Sequence, residues 1–270
     1  MSASDPASFG ARIAAASRAL LRRGKAPGQP LSARLRAVAD RVPVGARVLD
    51  VGTDHAWLVV HLLHERRTPF AIAADSKQAP LAGAADRLHA HRLQGVSETR
   101  LGNGLSVVQP GEVAAVTICG MGGRRIADIC AARPAVVAAL DALIVQPNTE
   151  PGKVRAGLRD MGLRLADELL VQEEGRWYPV MVWVPGTPER DWDALDIAHG
   201  PLLRDRADPA LRRFLGEELG RVAQALASAI QGGAPPQALR SLQEDLDSIE
   251  RELARLAIAA GTISKRANKE

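Results

Sequence analysis

The stretch VLDVGTDHAWL, residues 48–58, decides the fold. A short apolar run ends in Asp50, turns at Gly52 and enters a helical pattern, as a nucleotide-binding strand–turn–helix unit does. The dinucleotide fingerprint, however, needs glycines in a G-x-G-x-x-G pattern so that backbone can approach a pyrophosphate. Here the second and third glycine positions hold Asp54 and Trp57. Gly52 alone makes a poor phosphate cradle.

Working outward, strands and helices alternate. RVLDV (47–51), FAIAAD (70–75), AAVTIC (114–119) and ALIVQ (142–146) read as buried strands, and 98–101 as a short one. Residues 55–66, 78–93, 122–141 (broken at Pro134) and 151–161 read as helices. Ahead of them, Leu31, Leu35, Val38 and Val42 fall at helical spacing, and Pro43 and Gly45 break the chain before the first strand. Such alternation predicts a doubly wound, mostly parallel α/β sheet. Two last strands, 164–172 and 176–184, are joined by EEGR with no helix between them, so they form an antiparallel hairpin. A parallel sheet closing in a hairpin is the Rossmann-like class I methyltransferase arrangement, not the dehydrogenase one. Beyond it, Leu239, Leu242, Leu246, Ile249, Leu253 and Leu256 step by three and four, an a/d seam. Leu211, Leu215, Leu219, Val222 and Leu226 make a second stripe, and QGGAPPQ (231–237) separates the two. We expect a C-terminal antiparallel, coiled-coil-like helical hairpin. The expected domains are a flexible basic extension over 1–30, with a short helix near 10–23, a catalytic domain over 31–186 and the hairpin domain over 187–270.

The 46% apolar content of the 270 residues allows a full core. The net charge of +4 is unevenly placed: residues 1–49 hold nine Lys and Arg against Asp5 and Asp40. A basic arm of this kind fits phosphate contacts, and equally a solvated tail. Residues 1–30 faintly resemble a transit peptide, but Arg outnumbers Lys along the whole chain, so compositional bias is the simpler reading. Two cysteines, Cys119 and Cys130, make neither a disulfide framework nor a zinc site, and a reducing cytoplasmic setting follows. No apolar run is long enough to span a membrane. His61/His64 and His89/His91 lack a third partner for a metal and read as surface helix residues. Cys119 has no evident activating base and reads as a small buried residue.

The chemistry lies at the strand ends. S-adenosylmethionine has no phosphate and carries an ammonium, a ribose and an adenine, which suits a turn with one glycine and carboxylates. Asp50 is placed for the amino group, and Gly52 lets the ligand lie against the turn. Asp54 and His55 open the helix, either as cofactor wall or as a cap and an exposed neighbour. Asp75 ends the second strand, where an acid accepts ribose hydroxyls. LGNGL (101–105) offers Asn103 and Gly104 to an adenine amine, or is an ordinary Asn-Gly turn. In ICGMGG (118–123) three glycines expose backbone where amino-group methylases carry an Asn/Asp-Pro-Pro-aromatic motif. Arg124 and Arg125 follow at a helix start, a phosphate site or solvated arginines. QPN (146–148) follows the fifth strand.

Together these pieces resemble the bacterial tRNA (adenine-22-N1)-methyltransferases. The resemblance spans roughly 31–260. It rests on LSARLRAVADRVPVGARVLDVGTDHAWL (31–58), LGNGL, ICGMGG, LIVQPN (143–148), GRWYPVMVWV (175–184) and HGPLL (199–203). It implies a class I fold, S-adenosylmethionine as cofactor, tRNA as partner and a C-terminal coiled-coil-like domain. Separately, no membrane and no metal are expected, and a monomer or weak dimer. By position it carries cofactor roles to Asp50, Gly52, Asp54, His55, Asp75, Asn103, Gly104, Gly120 and Met121, and to Arg34 of the L-S-x-R-L opening. The family usually has Asp at Asn103, and Ser and Tyr at Thr53 and Trp57. Adenine N1 has an in-plane lone pair, so attack needs no strong base. Asn148 with the Gly120 and Gly122 backbone is then expected to hold the target base, and Arg124 and Arg125 the RNA phosphates. The alternatives are a class I methyltransferase for another RNA or a small molecule, and a non-catalytic RNA-binding relative. A nicotinamide enzyme is weakest, because of the single-glycine turn.

Overall fold

The computed structural model describes residues 31–267, and their side chains as far as residue 259. The flexible extension expected over 1–30 and the short helix expected near 10–23 lie outside the described residues. Helix α1 (Ala33–Ala39) starts at Ser32, whose hydroxyl accepts from Leu35 N at 3.4 Å. Then come β1 (Val48–Val51), α2 (Trp57–His64), β2 (Ala71–Asp75), α3 (Gln78–Ala90), β3 (Ser97–Leu101) and β4 (Ala115–Gly122). These are followed by α4 (Gly123–Ala131), α5 (Pro134–Ala138), β5 (Ala142–Thr149), α6 (Pro151–Asp160), β6 (Leu163–Glu173) and β7 (Arg176–Pro185).

The seven strands form one sheet in the order β3-β2-β1-β4-β5-β7-β6. All pairs are parallel except those made by β7 with β5 and β6. The order reverses between β1 and β4, which opens a crevice at the carboxyl ends of the strands. Every residue of β1 is buried. The β6–β7 turn places Glu174 and Gly175 at φ of 50° and 73°, as a tight two-residue hairpin requires.

Three details depart from the sequence reading. Helix α2 starts at Trp57, because His55 and Ala56 are both left-handed at φ of 54° and 56°. Asp54 therefore caps nothing, and its side chain is 91% exposed. Strands β4 and β5 run on past Cys119 and Gln146 as a bulged pair, with Met121 opposite Pro147 and Gly122 opposite Thr149. The QPN run is thus inside a strand, not after one. Finally, the contact boundary falls between Ala198 and His199 instead of near 187. Residues 187–198 stay with the sheet because Arg155 donates to the carbonyls of Ile197 and Ala198 at 2.8 and 2.9 Å, and because Trp192 packs on Trp183.

Helices α7 (Ala194–His199) and α8 (Pro201–Asp205) lead to α9 (Pro209–Gln231) and α10 (Pro236–Ala267). In this second unit Leu211, Leu215, Ile249 and Leu256 are buried, whereas Leu239, Leu242 and Leu246 are half-buried. Arg204 and Arg255 both hold the buried Glu252 carboxylate, the former at 2.9 Å. Among the described residues no helix is long and apolar enough to cross a membrane.

Candidate active site

A cavity of about 600 Å³ lies at the carboxyl ends of β1, β2, β4 and β5. Of the residues expected to hold a cofactor, Arg34, Asp50, Gly52, Asp54, Asp75, Asn103, Gly104, Gly120 and Met121 all line it. So do Gly122, Asn148 and Arg125. His55 does not. Its left-handed backbone turns the ring onto α3, where a Cβ on Gly83 would sit 2.6 Å from Nδ1. Arg124 is exposed and also lies off the lining. A cleft of about 500 Å³ shares Asn103, Arg125 and Ile129 with the cavity and adds Asp128 and Arg133.

Asp50 is 5% exposed. Burial raises its pKa above the usual carboxylate value, while a 2.7 Å hydrogen bond donated by Thr117 opposes the rise. Among the described residues it has no cationic partner, so a ligand's ammonium would complete it. Asp75 accepts from Lys77 N at 2.8 Å, which leaves its other oxygen available. Gly52 stands at φ of 72°, and a Cβ there would meet Met121 Cε at 2.2 Å. A side chain at this turn would be strained by the left-handed backbone and would push the Met121 side chain aside. Asn103 serves both readings at once. Its carbonyl accepts from Ser106 in a turn with Gly104 at φ of 57°, and the residue still lines the cavity. A paired set of acids, glycine turns and an amide at an open polar crevice fits S-adenosylmethionine.

On the opposite wall Gly120 stands at φ of 75° in the β4 bulge. Asn148 Nδ2 donates to its carbonyl at 2.9 Å. Gly123 has a different purpose, since a Cβ there would meet Glu150 O at 2.1 Å, so this glycine lets α4 start against β5. Cys119 is half-buried on the lining, contrary to expectation, but burial and the nearby Asp50 push its thiol up, which keeps it protonated.

Sequence reasoning gave no role to five neighbours, Gln146, Tyr178, Glu173, Trp57 and Arg87, although it quoted Gln146 within QPN and Trp57 within the opening turn. Gln146 is wholly buried beneath the site. Arg34 donates from Nη1 to Gln146 Oε1 at 2.6 Å and stacks 5.0 Å from the Tyr178 ring centroid. Its backbone N–H donates to Glu173 at 2.8 Å. Burial alone would raise the Glu173 carboxyl, but the Arg34 N–H and guanidinium hold it below the usual range. Trp57 lines the cavity with the Arg87 guanidinium 3.4 Å over its ring. An amide in an apolar strand was the available signal for Gln146. The histidines also differ from expectation. His61 is half-buried and driven down to about 4, by burial first and then by Arg36 and Arg67, and His64 Nε2 lies 3.1 Å from His91 Nδ1. Among the described residues no group of three or more His, Cys, Asp or Glu is placed to hold a metal.

The strand order, the reversing hairpin and the acid-lined crevice define a class I methyltransferase. Residues 31–181 match the family described as methyltransferase domain. The tRNA (adenine(22)-N(1))-methyltransferase of Bacillus subtilis (strain 168) is 34% identical over 173 residues, which cover 64% of this chain and 73% of the relative. The chain belongs to the tRNA (adenine-22-N1)-methyltransferase family. Among solved structures, a candidate tRNA (m1A22) methyltransferase of Streptococcus pneumoniae, crystallised with S-adenosyl-L-methionine, superposes with a TM-score of 0.75 at 31% identity. That match covers 83% of this chain and 100% of the other. The m1A22 tRNA methyltransferase of B. subtilis gives 0.71 at 27% identity, over 85% and 98% of the two chains.

Proposed function

We infer that this protein transfers a methyl group from S-adenosylmethionine to N1 of adenine 22 in tRNA. The observation that carries the reading is a family-type crevice whose lining offers acids and amides for a cationic nucleoside ligand. Bound S-adenosylmethionine supplies an electrophilic methyl group. Asp50 would take its ammonium, Asp75 the ribose hydroxyls and Asn103 the adenine amine, with Gly52 and Gly104 providing close backbone approach. Arg34, Asp54, Gly120 and Met121 complete that side of the cavity.

Adenine N1 attacks through an in-plane lone pair, and no proton leaves first. A protonated Cys119 and the turning away of His55 are therefore consistent with the chemistry. Rate then comes from alignment and exclusion of water. Asn148 and the backbone of Gly120 and Gly122 would hold the base, which a folded tRNA must first make accessible by flipping or local opening. Arg124 and Arg125 would contact phosphates beside the site. With both cysteines free, the reaction belongs in a reducing cytoplasm.

Labelled S-adenosylmethionine, offered with two transcripts carrying adenine or guanine at position 22, tests the reading. Label on the adenine transcript alone is expected. Label on both would refute the position, and label on neither, with cofactor bound, would refute the substrate.

A further inference from the structure

Gln146 is a polar side chain with no exposure, on an interior strand. A buried carboxamide costs stability unless its groups are paired. Here the pairing is complete. Oε1 accepts from Arg34 Nη1 at 2.6 Å and from Gly120 N at 3.2 Å. Nε2 donates to Pro147 O at 2.9 Å and to Asn148 Oδ1 at 3.2 Å. A guanidinium and a backbone N–H only donate, and a backbone carbonyl only accepts. The amide cannot turn over without losing three of its four bonds.

That rigidity passes to Asn148. Its oxygen meets the Gln146 donor, and its Nδ2 donates to Gly120 O at 2.9 Å. The carboxamide is fixed in one orientation although the residue stands exposed on the cavity wall. One lone pair on its oxygen and one hydrogen on its nitrogen remain unused. An asparagine offering one acceptor and one donor matches adenine at N6–H and N7. A contact on that edge leaves N1 free. Guanine presents acceptors at both O6 and N7 and would face the Asn148 oxygen with another oxygen.

We propose that Gln146 is a positioning residue that locks the Asn148 carboxamide so that its oxygen accepts from the exocyclic amine of the target base, and that this sets the preference for adenine. The proposal rests on the adenine-N1 reading above. It assigns a role to a side chain that touches neither the base nor the cofactor.

The test uses transcripts with adenine or unsubstituted purine at position 22, since purine keeps N1 and N7 and lacks the amine. The quantity read is the ratio of kcat/KM for the two, in wild type, Asn148→Ala, Gln146→Glu and the double variant. Gln146→Glu keeps an oxygen for Arg34 and Gly120 but sets its other oxygen against Pro147 O and Asn148 Oδ1. We expect the adenine-over-purine ratio to fall roughly tenfold, the worth of one good hydrogen bond, to the same value in all three variants. Should the buried carboxylate prevent folding, Gln146→Met, apolar and of similar size, is expected to give the same fall. A Gln146 variant slowed equally on both transcripts, with the wild-type ratio kept, would show a merely structural role and overturn the proposal. So would a wild-type ratio no higher than that of Asn148→Ala, which leaves the methyltransferase reading standing. A wild type inactive on the adenine transcript removes both.

Discussion

Asp50 and Gln146 are both buried polar side chains on the central strands, yet sequence reasoning assigned a role only to the first and marked the second only as part of QPN. Asp50 ends an apolar run beside a glycine, a local pattern whose meaning needs no tertiary knowledge. Gln146 gains its role from Arg34, 112 positions away, and Gly120, 26 away, and no local spacing encodes such meetings. His55 fails in the opposite sense. It sits inside the right motif, but two consecutive left-handed residues turn it off the cavity. For Asp50 the chemistry gives a direct prediction. Asn at this position still accepts from the Thr117 hydroxyl but cannot neutralise an ammonium. Asp50→Asn is expected to weaken S-adenosylhomocysteine binding, read by calorimetry, by about 2 kcal/mol, the scale of a charge-assisted hydrogen bond. The pH dependence has a definite sign. Burial raises the Asp50 pKa above its ordinary 3.8, so acid removes the charge that the ammonium needs. Wild-type affinity should fall as pH drops toward that raised pKa, and the variant should lose this component. Equal affinities, with the same pH profile, would remove Asp50 from the cofactor site.

At the scale of elements, the sequence pattern found the central strands because they are buried apolar runs, and the hairpin because its two strands are joined by a turn with no helix between them. It misjudged the ends of β4 and β5, where pairing continues through bulges that apolar patterning does not mark. The same limit hid what ties residues 187–198 to the sheet. Arg155 on α6 is 2% exposed in its side chain and pairs with the fully buried Glu168 of β6 at 2.8 Å, while its Nη1 donates to two carbonyls of α7. Nothing in the sequence marks this arginine among its many neighbours of the same type. Removing it takes the guanidinium from a buried carboxylate and from two carbonyls at once. Arg155→Met is expected to cost about 3–5 kcal/mol in denaturant unfolding. Arg155→Met with Glu168→Leu should recover part of that loss, because it also removes the buried carboxylate. A single variant within about 1 kcal/mol of wild type would show that the buried pair is worth no more than an exposed one.

For the whole molecule the decisive property is where the charge lies. A net charge of +4 is small for an RNA-binding chain, but nine of the 35 basic residues fall in residues 1–49, and Arg124 and Arg125 stand exposed at the start of α4. Arg125 lines the cavity, and Arg124 is its neighbour in the chain. If both arginines meet phosphates, each neutralised contact releases counterions, and tRNA affinity falls with salt in proportion to their number. Arg124→Ala with Arg125→Ala should therefore weaken tRNA binding most at low salt. It should also flatten the plot of log affinity against log salt concentration by about 1.5, the contribution of two phosphates. Cofactor affinity is the control that the site itself is intact. Deleting residues 1–30 takes away five further basic residues against Asp5, so it should flatten the slope on its own account. If the two basic groups meet separate phosphates, the losses in slope add in the combined variant. An unchanged slope in the double arginine variant would leave α4 with solvated arginines, and the electrostatic footprint would then have to lie elsewhere on the chain.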